Sequence, residues 1–144
     1  MKMAYPSTSN FTWSAAFETG NAEIDAQHMA LIDGSKKLKE LVRSGGDWDE
    51  VKAGLAHFTE ICLRHFRYEE QILEQVGFPR YAEHVAQHHR IEVMLQEFGD
   101  MVARADGDAP EHRELVASLE IRIIDLIVRH DLDYKSHLMN IAGY

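Results

Sequence analysis

The chain of 144 residues is long enough for one globular domain, and its 45% hydrophobic and 27% charged residues are typical of a soluble protein. The formal net charge of −9 argues against nucleic acid and anionic membrane surfaces as partners, because phosphate groups are neutralised by basic residues. The single cysteine, Cys62, excludes an internal disulfide and favours a cytoplasmic location, and the sequence has neither an apolar signal segment nor a membrane-spanning run.

The first part of the chain, residues 1–20, is expected to form an extended N-terminal arm, because its aromatic and polar residues follow no helical period. The first helix is expected over about residues 21–44, with acidic residues in its first turn and two glycines after its end. Its apolar residues recur at helical spacing. His28 lies four residues after Ile24 in this stripe and is therefore predicted to face the core.

The second helix is expected over about residues 48–76, with Asp47 capping its N-terminus. Its apolar stripe includes His65 and Glu69, which are four residues apart and therefore lie on one face. A buried acid is costly unless it is paired or bound to a metal ion, so the pair is a candidate for metal ligation. The alternative is an ordinary surface pair. Glu70, the next residue, is predicted to point elsewhere, into solvent.

The third and fourth helices are expected over about residues 80–105 and 110–137. On the third, His84 and His88 share one face, a spacing typical of metal ligands, although the glutamate of the H-E-x-x-H motif of zinc proteases is absent. Four helices with short connections, each with one apolar stripe, predict an all-α fold. This fold is an antiparallel up-down four-helix bundle in a single domain, residues 1–144.

Six side chains from the four helices form the predicted metal site. Neutral imidazoles together with carboxylates are the ligands of redox iron and manganese sites, and also of zinc sites. A carboxylate can bridge two ions, so this mixture indicates a dinuclear site rather than a structural zinc site. The predicted ligands are His28, His65, Glu69, His84, His88 and Asp131.

Three segments that contain predicted ligands match the motifs of one protein family: Trp13 and Gly20 followed by Ile24-Asp25-Ala26-Gln27-His28, then His65-Phe66-Arg67-Tyr68-Glu69-Glu70, and then His84-x-x-x-His88. They resemble the hemerythrin family, whose members are oxygen-binding proteins with a non-heme di-iron site inside a four-helix bundle. The resemblance covers nearly the whole chain.

The resemblance also implies a ligand set for each ion. One iron would be bound by His28 and His65, and the other by the two histidines of the third helix. Glu69 and an aspartate of the fourth helix would bridge both ions, together with an oxo or hydroxo group.

The ligand implied by the resemblance is dioxygen, bound for storage, delivery or sensing; another small diatomic or anionic ligand also fits. Phe66 and Ile127 match positions in the family motifs and are expected to line an apolar pocket for this ligand. Ordinary core packing explains these two residues equally well.

The fourth helix departs from the family pattern, in which a histidine precedes the bridging aspartate by five residues. If Asp131 is the bridge, as its D-x-x-Y context with Tyr134 indicates, then Leu126 occupies the histidine position. If His130 is the histidine, Lys135 occupies the bridging position, where a cation cannot bind two metal ions. The first alignment is preferred, and it leaves one iron short of an imidazole.

Three functions therefore remain open. The resemblance favours an oxygen-binding protein over an enzyme. A coordination position vacated at Leu126 instead favours a di-iron oxidase, a peroxidase or an enzyme that handles nitric oxide, for which the sequence names no substrate. The third possibility is a non-catalytic bundle that binds zinc, manganese or a single metal ion. The sequence does not reveal whether the protein has a protein partner.

Overall fold

The computed structural model describes residues 13–142, and this part of the chain folds into helices and turns without a β-strand. Most of the predicted N-terminal arm, residues 1–12, lies outside the described residues. The remainder of the arm contains one 3₁₀ turn, Ala15–Phe17. It ends at Thr19, whose backbone N–H and hydroxyl donate to the Asp25 carboxylate at 2.7 and 2.9 Å and so hold the arm against the first helix.

Three long helices begin and end at the local signals that their sequence contains: α1 (Ala22–Arg43), α2 (Trp48–Gln75) and α3 (Tyr81–Ala103). Asp47 caps α2 as predicted, and Asn21 caps α1, since each side chain accepts a hydrogen bond from the backbone N–H three residues on, at 3.3 and 2.9 Å. Gly45 and Gly77 follow the ends of α1 and α2 with φ of 74° and 66°, a conformation that glycine adopts readily.

The fourth helical rod differs from the single α-helix predicted over residues 110–137. It consists of α4 (Pro110–Ala117), α5 (Leu119–Asp125), a π-helical turn (Leu126–His130), a 3₁₀ turn (Asp131–Tyr134) and α6 (Lys135–Ala142). Residues five apart on an α-helix are about 140° apart around its axis, because each residue adds about 100°. The wider π turn, with its hydrogen bonds between residues five apart, brings positions 126 and 131 closer to one face. The α-helix is therefore interrupted where Asp131 enters the bundle.

The four rods pack in chain order around a common interior. α1 packs against α2 on one side and against α4 and α5 on the other, while α3 packs against α2 and contacts α4. The connections are short, residues 44–47, 76–80 and 104–109, so consecutive rods run antiparallel. The all-α, antiparallel up-down four-helix bundle predicted from the sequence is confirmed. None of the helices within residues 13–142 combines the length and hydrophobicity of a membrane span.

Two apolar clusters fill the interior, and the predicted ligands lie at the level between them. The larger cluster takes residues from all four rods, among them Leu31, Phe66, Leu95 and Ile127. The smaller cluster is formed by Ile24, Leu73, Phe78, Tyr134 and Leu138. On α1, for example, His28 lies between Ile24 of the smaller cluster and Leu31 of the larger one. The ligands thus form a buried polar layer across the bundle.

A second polar contact is buried beside the larger cluster. Lys39 of α1 and Glu120 of α5 form an ion pair with Nζ and Oε1 2.7 Å apart, and their side chains are only 11% and 1% exposed. The preceding residue on each helix, Leu38 and Leu119, belongs to the larger cluster. This pair therefore joins α1 to the fourth rod in apolar surroundings.

Candidate metal centre

All six predicted ligand side chains lie in the polar layer, and each residue is at most 4% exposed. They form two groups, in each of which one possible ligand atom per residue lies within 4.8 Å of the others. Two carboxylates belong to both groups, so the arrangement has two centres that share two acids. The groups are His28, His65, Glu69 and Asp131, and Glu69, His84, His88 and Asp131.

The helical spacing of the sequence produces this convergence. Residues four apart on a helix share one face, and the faces of α2 and α3 that contain their paired ligands are both turned to the interior. All four histidines direct the same ring nitrogen, Nε2, towards the carboxylate of Glu69. The imidazoles therefore leave Nδ1 for contacts with their outer surroundings.

The two oxygens of Glu69 face different pairs of histidines. Oε2 lies 3.2 Å from Nε2 of both His28 and His65. Oε1 lies 2.5 Å from Nε2 of His84 and 2.8 Å from Nε2 of His88. A carboxylate that bridges two metal ions presents one oxygen to each ion, and Glu69 has this disposition.

Asp131 repeats the arrangement from the fourth rod, with Oδ2 2.9 Å from Nε2 of His28 and Oδ1 3.2 Å from Nε2 of His84. Although these distances are short, neither oxygen meets the geometry of a hydrogen bond, and Nε2 of His65 likewise has no hydrogen-bond partner. Buried polar atoms without partners are rare in folded proteins. Imidazole nitrogens and carboxylate oxygens in this state fit a bound pair of metal ions.

The same cluster attracts protons. Burial disfavours the charged form of His28, but the neighbouring Asp131 and Glu69 outweigh this effect and raise its pKa from 6.5 to about 9. The two acids raise the pKa of His84 to about 10, again against the effect of burial. Burial alone would raise the pKa of Glu69, but the surrounding imidazoles hold it well below 4.5. Metal ions and protons therefore compete for the same nitrogens.

Residues 19–140 match the family model described as Hemerythrin HHE cation binding domain. This span covers most of the chain and contains all six residues of the two groups. The chain belongs to the hemerythrin family. The family resemblance carried by the sequence motifs is thereby confirmed.

Three curated relatives, each named Bacteriohemerythrin, are similar to this hemerythrin-family chain. The Methylococcus capsulatus protein is 30% identical over 81 residues, which are 56% of this chain and 61% of that protein. The Clostridium acetobutylicum protein is 23% identical over 128 residues, 86% of this chain and 98% of that protein. The Campylobacter jejuni protein is 30% identical over 77 residues, 54% of this chain and 58% of that protein. The chain thus spans less than two thirds of the first and third relatives.

The prediction that Glu70 points into solvent is wrong. The residue is 9% exposed, and its Oε2 lies 2.7 Å from Nδ1 of His88. On α2 alone Glu70 lies about 100° from Glu69, but the neighbouring α3 supplies a partner on that side. His88 Nδ1–H donates to this carboxylate, which leaves Nε2 directed at the centre.

Gln27 has a comparable contact with the other group, and the sequence analysis assigned it no role. Its Oε1 lies 2.8 Å from Nδ1 of His65. Its amide nitrogen donates to Oε2 of Glu23 at 3.0 Å. The amide is therefore oriented with its oxygen towards the histidine. The position directly before His28 in the family motif was the only signal for this residue.

Tyr134 is a further residue that sequence reasoning did not assign to the site. Its hydroxyl donates to Oε2 of Glu69 at 2.6 Å, and its ring lies 5.4 Å from the ring of His84. Burial and the adjacent charges of Glu69 and Asp131 raise its pKa well above 10, so the phenol keeps its proton. Its place in the D-x-x-Y segment was the only indication in the sequence.

The side of the centre towards the larger cluster is apolar. Phe66 is fully buried and stacks on the ring of His88, with ring centroids 4.2 Å apart and planes 14° apart. Ile127 and Leu126 are 1% and 3% exposed and belong to the same cluster. Leu126 offers no ligand atom.

His130 is placed differently from the six residues of the two groups. It lines a polar cavity of about 50 Å³ that borders His84, and within residues 13–142 it belongs to neither ligand group. Arg80 and Asp133 also line this cavity and form an ion pair at 2.8 Å. The backbone therefore turns Asp131 into the polar layer and His130 towards a cavity beside it.

Proposed function

We propose that this hemerythrin-family protein is a non-heme di-iron protein that binds dioxygen reversibly for storage, delivery or sensing, in the cytoplasm. Two iron ions, with an oxo or hydroxo group between them, would occupy the two ligand groups. The proposed ligands are His28 and His65 for one ion, His84 and His88 for the other, and Glu69 and Asp131 as bridges. Phe66 and Ile127 are proposed to line the apolar pocket for the bound ligand.

One observation carries the proposal: each of two buried carboxylates directs one oxygen to each group. Glu69 and Asp131 both have this disposition, and both oxygens of Asp131 lack a hydrogen bond. A single structural ion needs neither two groups nor two shared acids. The paired arrangement therefore favours two ions over one.

When bound, the iron pair supplies the electrons for reversible reduction of dioxygen. The residues around the two ligand groups perform three other tasks in this proposal. Phe66 and Ile127 exclude water on the side of the larger apolar cluster. Tyr134 keeps its hydroxyl proton and donates a hydrogen bond to Oε2 of Glu69, which fixes the carboxylate. The outer contacts of His65 and His88 hold the imidazole rings with Nε2 inwards.

A visible spectrum tests this function. Protein loaded anaerobically with ferrous iron should contain two irons per chain and develop an absorption band on exposure to oxygen. The band should disappear when oxygen is removed and return when it is readmitted. Zinc-loaded protein is the control and should remain colourless. An iron-loaded protein with no band, or with one that never reverses, would rule out reversible binding.

The polar cavity beside His84 favours a second candidate, a di-iron oxidase or peroxidase, with nitric oxide as another substrate. Its volume of about 50 Å³ is sufficient for a small polar molecule. Leu126 does not line this cavity, but it would leave a coordination position open at the centre itself if it stands where a histidine ligand belongs. Under this candidate, Leu126→His should slow peroxide consumption and irreversible oxidation in air, whereas Leu126→Met should not. Equal rates in both variants would remove the support for this candidate.

A further inference from the structure

We infer that the two metal positions are inequivalent, because a carboxylate supports a histidine of one group and a neutral amide supports a histidine of the other. The inference rests on the proposed metal centre. It assigns Glu70 and Gln27 as positioning residues that set the donor strength of His88 and His65.

On the α3 side, a series of contacts connects Arg67 at the protein surface through Glu70 to His88 at the centre. Nδ1 of His88 lies 2.7 Å from Oε2 of Glu70, and Nη2 of Arg67 lies 3.5 Å from the same oxygen. Arg67 also pairs with Glu92, one turn after His88 on α3. The guanidinium thus joins α2 to α3 outside Glu70. Because Glu92 shares it, the guanidinium holds the nearly buried carboxylate in place without cancelling its charge.

The contact on the α1 side has the same layout but no charge next to the imidazole. Nδ1 of His65 lies 2.8 Å from Oε1 of Gln27, and Glu23 accepts from the Gln27 amide nitrogen on the outer side. The two histidine contacts, 2.8 and 2.7 Å, have nearly the same length. The difference between them is therefore one of charge rather than of distance.

The second imidazole of the His65 group does not remove this difference. In the group of His65, the other histidine is His28, whose buried Nδ1 has no hydrogen-bond partner. No imidazole in that group is thus supported by a carboxylate at Nδ1. In the other group, His88 is supported in this way.

The chemical consequence follows from how an imidazole transmits charge across its ring. An acceptor on Nδ1–H makes Nε2 more basic, and a full negative charge does so more strongly than an amide dipole. Nε2 of His88 is therefore the stronger donor of the two. The ion at His84 and His88 should bind more tightly, and its higher oxidation state should be favoured over that of the ion at His28 and His65.

A reciprocal pair of substitutions tests the inference. Glu70→Gln keeps the size and an acceptor oxygen but removes the charge, and Gln27→Glu adds a charge at the corresponding contact. Titration of apoprotein with Zn²⁺ against a chromophoric chelator measures both affinities. Redox titration of the iron-loaded protein measures the potential.

Glu70→Gln should weaken the tighter of the two zinc affinities, that of the ion at His84 and His88, by about 10- to 100-fold. It should leave the affinity of the other ion unchanged and raise the reduction potential of the iron-loaded protein. Gln27→Glu should strengthen the other affinity and lower the potential. The matched control is Glu74→Gln, an exposed carboxylate one turn further along α2, which should change neither quantity.

The outcomes separate the inference from the function on which it rests. If Glu70→Gln and Gln27→Glu change the melting temperature but neither the affinities nor the potential, the two residues are only structural and the inference is overturned. If the unaltered protein binds fewer than two zinc ions, the proposed centre itself is wrong and the inference falls with it.

Discussion

The bundle buries two polar sites, and they differ in how their charge is balanced. Lys39 and Glu120 form one cation and one anion 2.7 Å apart, so the protein neutralises this site itself. In the metal-free polar layer, two carboxylates meet four imidazoles, and protons taken up by His28 and His84, with pKa values of about 9 and about 10, balance the two acids. Burial of charge is costly in both places. The first site is thus balanced by a fixed lysine, whereas the charge that balances the second comes from solution as protons, which the metal ions of the proposed centre would replace.

The largest effect is expected from the removal of Glu69, the acid whose two oxygens face the two ligand groups. Glu69→Gln leaves an amide whose single oxygen cannot bridge two ions, so we expect both ions to be lost. At a metal concentration of about 1,000 times the dissociation constant, each ion stabilises the fold by about 4 kcal/mol. The loss should therefore be about 8 kcal/mol in the metal-loaded protein. Metal content and urea denaturation measure it.

Glu74→Gln is the matched control for that experiment, because it removes an exposed carboxylate from the same helix. It should retain two ions and the full stability. Retention of two ions by Glu69→Gln would mean that this acid does not bridge them.

Breaking the ion pair between Lys39 and Glu120 should also lower the stability, but without any loss of metal. Lys39→Met removes the cation that pairs with the buried Glu120, which should cost about 3–5 kcal/mol of the free energy of unfolding while the metal content stays the same. Denaturation and metal analysis of one sample test both parts. The double variant Lys39→Met with Glu120→Leu should recover most of the loss. A change in metal content would show that the two sites are not independent.

The pH dependence of the metal-free protein sharpens the comparison, because its effect is spread gradually over several pH units. The pKa values of His28 and His84, raised from 6.5 to about 9 and about 10, mean that these imidazoles stabilise the fold below pH 6.5 and lose this contribution as the pH rises through 9 to 10. The lowered pKa of Glu69 stabilises the fold above pH 4.5 and is lost in acid. Metal-free protein should thus be most stable at about pH 4.5–6.5 and lose stability steadily as the pH rises towards 10.

Urea denaturation at several pH values, with and without metal, checks this expectation. Metal-loaded protein should not show the decline above pH 6.5, because metal ions rather than protons then occupy the imidazole nitrogens. A metal-free protein of constant stability from pH 6.5 to 10 would contradict the proposed role of the two histidines.

The parts of this molecule that follow from a single helix could be predicted from its sequence. The cap of α2 at Asp47 and the common face of His65 and Glu69 depend only on residues a few positions apart. The bundle followed from apolar stripes of one helical period.

The features that depend on a neighbouring helix could not be predicted. The angle of Glu70 on α2, away from Glu69, predicts a solvent-exposed side chain, and only the position of His88 on α3 reveals its partner. The π turn at Leu126–His130 was also missed, because the same residues are compatible with a regular α-helix. This π turn rotates the following backbone so that Asp131, rather than His130, points into the polar layer.

The most direct test of the proposed centre is anomalous diffraction at the iron edge from crystals of iron-loaded protein. We expect two peaks about 3.5–4 Å apart, one beside His28 and His65 and one beside His84 and His88, each in contact with one oxygen of Glu69. A single peak, or iron bound only outside the polar layer, would contradict it.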